Sequence, residues 1–198
     1  MREIIKMVVV LTVLSAASGG LLAAVRIGTM DRIENQELKF VKGPAVQSIL
    51  KSASNDPIAD RFKMTDQDKE ISFFVGVIDG KANSIAFEAF GKGFGGPVGL
   101  MVGVNIKDDK IIGVGVTTHK ETPGVGSRAK DEPELWDQFK GKLLTGGPFK
   151  VKADGGQVDA ISGATYTSRG VAEALTHAGG LYKEIKPKLA EKLKEFNK

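Results

Sequence analysis

Residues 7–25, MVVVLTVLSAASGGLLAAV, carry no charge. As a helix rising about 1.5 Å per residue, the run spans roughly 28 Å, close to a bilayer core of about 30 Å. Arg2 and Lys6 precede it and Arg26 follows it. Basic residues on both flanks leave its orientation unassigned. A cleaved signal peptide competes with a retained anchor, because Ser15-Ala16-Ala17 offers small residues at a cleavage site. The apolar run continues for eight residues beyond that point, so a retained anchor is expected. The expected domain bounds are 1–28 for the anchor and 29–198 for an extracytoplasmic domain.

Beyond the anchor the pattern changes period. Ile33, Leu38, Phe40, Val41, Val46, Ile49 and Leu50 have helical spacing, and Gly43-Pro44 is expected to break or kink that helix. Residues 52–60, SASNDPIAD, read as a connector. From Glu70 onward, ISFFVGVIDG, SIAFEAFGKG, VGLMVGVNIKDD and KIIGVGVTTHK read as strands parted by turn residues. Asp79-Gly80 and Asp108-Asp109 mark two hairpin turns. PELWDQF, residues 133–139, predicts a short helix with Pro133 in its first turn and Trp136 and Phe139 turned to the core. Phe149-Lys150-Val151 predicts a short strand. Helical spacing then returns with Val171, Leu175 and Ala178 on one face, from a start near Thr167, and a last helix is expected from Lys186 to Phe196. The fold class is α+β: an antiparallel sheet with flanking helices, preceded by one N-terminal transmembrane helix.

Composition narrows the chemistry. The chain has no cysteine, which removes disulfides, thiolate catalysis and iron–sulfur ligation together. Its two histidines, His119 and His177, have no zinc-site spacing, and no metal site is expected. Redox work in this chain therefore requires an organic cofactor. The 28 basic residues are nearly balanced by 24 acidic ones. Many lysines alternate with glutamates in the tail KEIKPKLAEKLKEFNK, which is the pattern of a solvated helix face and not of a nucleic-acid stripe.

Three loops can carry chemistry. Residues 91–99, GKGFGGPVG, lack the P-loop pattern; they suit either a flexible hairpin or close approach of a flat ligand to the backbone. Residues 117–128, TTHKETPGVGSR, contain a type II turn signal at Pro123-Gly124. His119 and Glu121 alternate there and either hydrogen-bond a polar ring or form an ordinary surface pair. In the third, DAISGATYTSRGV, the hydroxyls of Ser162, Thr165, Thr167 and Ser168 crowd around Gly163 and Ala164. One reading makes Thr167 or Ser168 a helix N-cap. The other makes one hydroxyl the anchor of a phosphoester, held by the free amides and positive end of the following helix.

DAISGAT together with HKETPGVG and the single N-terminal apolar run resembles the FMN-binding domain family. Within it the chain is similar to the G subunits of Rnf-type ion-translocating electron-transport complexes, with the C subunits of sodium-pumping NADH:quinone oxidoreductase as near neighbours. The resemblance implies a membrane-anchored electron-transfer subunit, not an enzyme by itself, with covalent FMN joined through its phosphate to Thr165. It implies that a flavin transferase makes the bond from FAD, and that Asp159 positions a metal or the threonine hydroxyl during transfer. Ser162, Gly163 and Ala164 would line the phosphate, with Thr167 and Ser168 capping the helix and holding it. Glu121, Thr122, Pro123 and Gly124, with His119, would lie near the flavin ring. The implied partners are the membrane and the other subunits of the complex. The implied location is the inner membrane, single-pass, with the soluble domain on the periplasmic side. An anchored ligand-binding domain without covalent flavin is the alternative.

Overall fold

The computed structural model describes residues 1–66 and 69–196. The chain divides into two units, Met1–Lys39 and Phe40–Lys198. The first is a single helix, α1, over Arg2–Glu37. Its Arg2–Met30 segment is long and apolar enough to cross a membrane. Thr12 and Thr29 return their hydroxyls to the carbonyls of Val8 and Val25, each at 2.8 Å. Neither of these two hydroxyls is then left without a partner.

Leu38–Lys42 wind as one π-helical turn, and α2 covers Gly43–Ile49. The break expected at Gly43-Pro44 is instead this change of winding. Pro44 stands in the first turn of α2, where a missing N–H costs no helical bond.

The sheet is an antiparallel meander in the order β1-β2-β3-β4-β5. Its strands are β1 Arg61–Asp66, β2 Lys69–Ile78, β3 Lys81–Lys92, β4 Pro97–Asn105 and β5 Lys110–Val116. The strand β1 is not among the expected elements. Arg61 and Lys63 make its sequence polar, but Phe62 faces inward and stacks on Phe73 at 5.4 Å, and Phe73 meets Phe87 at 5.3 Å. Asp79 (φ 54) and Gly80 (φ 71) form the two-residue turn between β2 and β3, as the Asp-Gly pair predicts.

Each face of the sheet is covered. On one, a long helix, α4 (Thr165–Lys192), packs on β3 and β4, and a 3-10 helix, Pro133–Phe139, packs on β5. The short helix α3, Arg128–Asp131, precedes that 3-10 helix. Phe73, Phe87, Leu100, Val102, Trp136, Phe139, Leu175 and Tyr182 are fully buried in that core. On the other face, α2 lies against β4 and β5. A Cβ on Gly103 would stand 2.2 Å from Ile49, so this approach depends on glycine.

Helix α4 runs without interruption from Thr165 to Lys192. It starts two residues earlier than the pattern predicts, and it absorbs the first part of the expected separate C-terminal helix, whose last four residues, Leu193–Phe196, wind as a 3-10 helix. Gly179 does not break it: a Cβ there would stand 2.5 Å from the Leu144 carbonyl oxygen, so its glycine serves close packing. Pro187 lies on the exposed side, where the carbonyl it leaves unbonded can reach water. The expected 149–151 strand is reduced to one parallel bridge, Val151 with Val158. The chain passes straight into a 3-10 turn, Lys152–Asp154, and reverses at Gly155 (φ 77).

Candidate functional site

Among the described residues, no side chain caps the start of helix α4. Ala164 is the N-cap residue, and no side chain bonds the first turn. Ser168 donates the first helical N–H, to Ala164 O at 3.1 Å. Among the described residues, the N–H groups of Thr165, Tyr166 and Thr167 have no hydrogen-bond partner. Such an end presents free donors and the positive end of the helix dipole. Gly163, in front of it, has φ +79 and open space where a Cβ would be. A side chain there would be strained, and the backbone can be approached closely.

The four hydroxyls of this loop have different situations. Ser168 is buried; its oxygen accepts the Ile161 N–H at 2.9 Å and donates to Ala164 O at 3.1 Å. Thr167 is buried and donates to the Glu121 carboxylate. Neither caps the helix, contrary to the expectation: with the start at Thr165, both stand inside the first turn and point to other partners. Ser162 is exposed. Thr165 is half-buried at the rim of a cleft, and among the described residues its hydroxyl has no hydrogen-bond partner.

That cleft has a volume of about 350 Å3. Thr165, Thr167, Gly163 and Ala164 form one wall, with Tyr166; Glu121 and Thr122 stand with Val125 and Gly126 on another; Phe94 closes a third side. Phe94 and Tyr166 are 72% and 62% exposed with ring centroids 6.2 Å apart, so two aromatic rings stand at an open mouth. Arg169 lies over the Tyr166 ring at 5.1 Å and grips Asp154 with two hydrogen bonds of 2.7 Å. That grip holds the Asp154 carboxyl below its usual range.

Glu121 is 6% exposed. It accepts the Gly95 N–H at 2.8 Å and the Phe94 N–H at 3.2 Å, besides the Thr167 hydroxyl. A Cβ on Gly93 would stand 2.6 Å from its Oε1, and one on Gly126 would stand 2.7 Å from its Cβ. The glycine loop is therefore a fixed wall that closes around a carboxylate.

The remaining expected residues lie outside the cleft lining. His119 is half-buried, and its Nδ1 accepts the Glu121 N–H at 3.3 Å. Pro123 and Gly124 form an exposed turn, with Gly124 at φ 72. Asp159 is exposed and ion-paired to Lys152 at 2.6 Å. Sequence reasoning passes over Phe94, Val125, Gly126 and Tyr166 as site residues. Phe94 and Tyr166 are legible in principle, as aromatic residues inside glycine- and hydroxyl-rich loops.

The model of the FMN-binding domain family matches residues 93–179, which contain every residue of the cleft lining. The G subunit of the ion-translocating oxidoreductase complex of Vibrio vulnificus is 30% identical over 83% of this chain and 82% of its own length. The protein of that name from Shewanella baltica is 33% identical over 80% of each. Among solved structures, the C subunit of the Na+-translocating NADH-quinone reductase of Parabacteroides distasonis aligns with a TM-score of 0.51 and 30% identity, over 68% of this chain and 71% of that one. NqrC of Shewanella oneidensis aligns with a TM-score of 0.50 and 28% identity, over 71% and 73%.

Proposed function

Because the chain belongs to the family of G subunits of ion-translocating oxidoreductase complexes, we propose that it carries FMN covalently on Thr165 as an electron-transfer component of an Rnf-type complex. The observation that carries this reading is the difference among the hydroxyls. Thr167 and Ser168 are buried and bonded within the protein, whereas Thr165 stands at the cleft rim with no partner for its hydroxyl among the described residues.

The residues present fit a phosphate ester of flavin. The unpartnered amides at the start of α4 offer three donors beside a hydroxyl that can be esterified. Gly163 leaves the approach open. Phe94 and Tyr166 offer apolar faces to a flat ring at the mouth. When bound, FMN supplies the electron transfer that no side chain of this chain provides. The chain itself would bind the phosphate and fix one end of the cofactor, with residues of the glycine loop and of the 121–126 loop lining the cleft that would receive it.

In this reading a flavin transferase acts during maturation, and Asp159, exposed beside the motif, helps that enzyme position a metal or the Thr165 hydroxyl. Residues 1–28 anchor the chain in the inner membrane, residues 29–198 lie on the periplasmic side, and the other subunits exchange electrons with the flavin. A covalent bond keeps the cofactor where a diffusible one would be lost.

The test is the intact mass and in-gel fluorescence of the denatured protein, exported together with a flavin transferase, beside a Thr165→Val control. A gain of one FMN less water, with fluorescence absent from the control, is expected. No adduct from a transferase active on another substrate would leave an anchored ligand-binding domain in its place.

A further inference from the structure

Glu121 sits where three separate segments meet, and both its oxygens are occupied by donors from the protein. Phe94 and Gly95 belong to the loop between β3 and β4, and Thr167 belongs to α4, 46 positions along the chain from Glu121. Glycine at 93 and 126 leaves room for nothing larger beside it. No cation is paired with it among the described ion pairs. The carboxylate therefore meets the cleft mainly as a fixed negative charge in its wall, and its oxygens are hydrogen-bonded within the protein.

We infer that Glu121 is a positioning residue, latching the glycine loop to the first turn of α4 so that the cleft stands formed before flavin is attached, and that its charge holds the flavin's reduction potential down. This rests on the flavin reading above. The electrostatic part follows from what reduction does: electrons added to the ring raise its negative charge, and a nearby buried carboxylate disfavours that product. The latch part follows from the bonds. Hydrogen bonds to a charged acceptor are among the stronger ones in a protein, and losing such an acceptor releases the two backbone donors that tie the glycine loop down.

Two measurements separate the latch from the flavin reading. The first uses full-length Thr165→Val protein, which carries no covalent flavin. There, adding Glu121→Gln should speed hydrogen exchange at one of the Phe94 and Gly95 amides about tenfold, and Glu121→Ala should do so at both. Amides in the middle of β4 should be unchanged. The second uses flavin-loaded protein with Thr165 intact. Glu121→Gln should shift the midpoint potential upward, while Asp79→Asn, which removes an exposed carboxylate in the turn at the opposite end of β3 from the glycine loop, should leave it near that of the parent. Unchanged exchange at both amides in Glu121→Ala overturns the latch. A Glu121→Gln potential equal to the parent's overturns the electrostatic role. Absence of flavin from the parent protein would count against the flavin reading alone, because the exchange measurement needs none.

Discussion

Gly91 on β3 and Gly170 on α4 touch backbone to backbone: a Cβ on Gly91 would stand 2.0 Å from the Gly170 carbonyl oxygen and 2.6 Å from the Ala174 nitrogen. A Cβ on Gly170 would in turn stand 2.9 Å from the Gly93 nitrogen. Helix α4 is thus seated directly on the strand that leads into the glycine loop. Glu173 adds a bond from the helix to the Lys92 N–H at 2.7 Å.

Gly170→Ala tests this contact against helix propensity. In an open helix the change stabilises by about 1 kcal/mol. Here it should destabilise the domain by roughly 2 kcal/mol, because backbone on both sides must move. Urea denaturation of the two proteins gives the sign directly, and a stabilised variant would show that the seat is loose.

The ester position should be selective among neighbouring hydroxyls. Ser162→Ala removes an exposed oxygen with no hydrogen-bond partner among the described residues, so the flavin adduct should form at the parent's level. Thr165→Ser keeps the hydroxyl at the same point and should still be modified, whereas Thr165→Val should not. Peptide mapping of the three variants after coexpression with the transferase reads this, and an adduct on Ser162 would contradict it.

The strands β2 to β5 were legible because their period of two is bounded by residues with strong turn chemistry, Asp79-Gly80 above all. What escaped was decided by contacts distant in sequence. A separate last helix is expected from Lys186, yet the helix continues through Gly179, where the Leu144 carbonyl leaves room only for glycine. The strand β1 is too polar to announce itself, and only the register Phe62↔Phe73 explains it. In the site, the motif pointed to Thr165, but it could not tell that Thr167 and Ser168 would be drawn inward. That follows from Glu121 and Ile161 lying where the fold brings them.

Asp109, at φ 57 in the turn between β4 and β5, accepts two bonds from Lys186 at 2.6 and 2.7 Å and one from the Tyr182 hydroxyl at 2.8 Å. Burial pushes its carboxyl up, but the hydrogen bonds from Lys186 and Tyr182 and the Lys186 charge outweigh this and leave it lowered. Its stabilising contribution is therefore complete above the unfolded value, near pH 4, and is lost as the pH falls through the folded value. Burial and then the Asp109 bond raise the Tyr182 phenol, so its contribution is complete below the unfolded value, near pH 10, and is lost as the pH rises through the folded value. Asp109→Asn tolerates the left-handed backbone and should cost about 1 kcal/mol at pH 7, discounted for the partly exposed Lys186. The difference from the parent should shrink toward zero in acid, and urea titrations at a series of pH values would reveal a constant gap if the charge were irrelevant.

Glu88, with a side chain 10% exposed, pairs with Lys42 at 3.0 Å and accepts the Thr117 hydroxyl. Lys42→Met strands a buried charge and should cost roughly 2 kcal/mol, while adding Glu88→Gln should restore most of that. A double-mutant cycle by urea denaturation measures the coupling, and additive losses would mean the pair contributes nothing.

The chain has one tryptophan, and it is placed deep. Trp136 is 1% exposed, stacks on Phe139 at 6.1 Å and donates its indole N–H to Ala129 O at 2.6 Å. Tryptophan emission from this protein consequently comes from a single buried location beside β5. A red shift reports water entering that spot and nothing else, so every unfolding curve proposed above can be followed without a label.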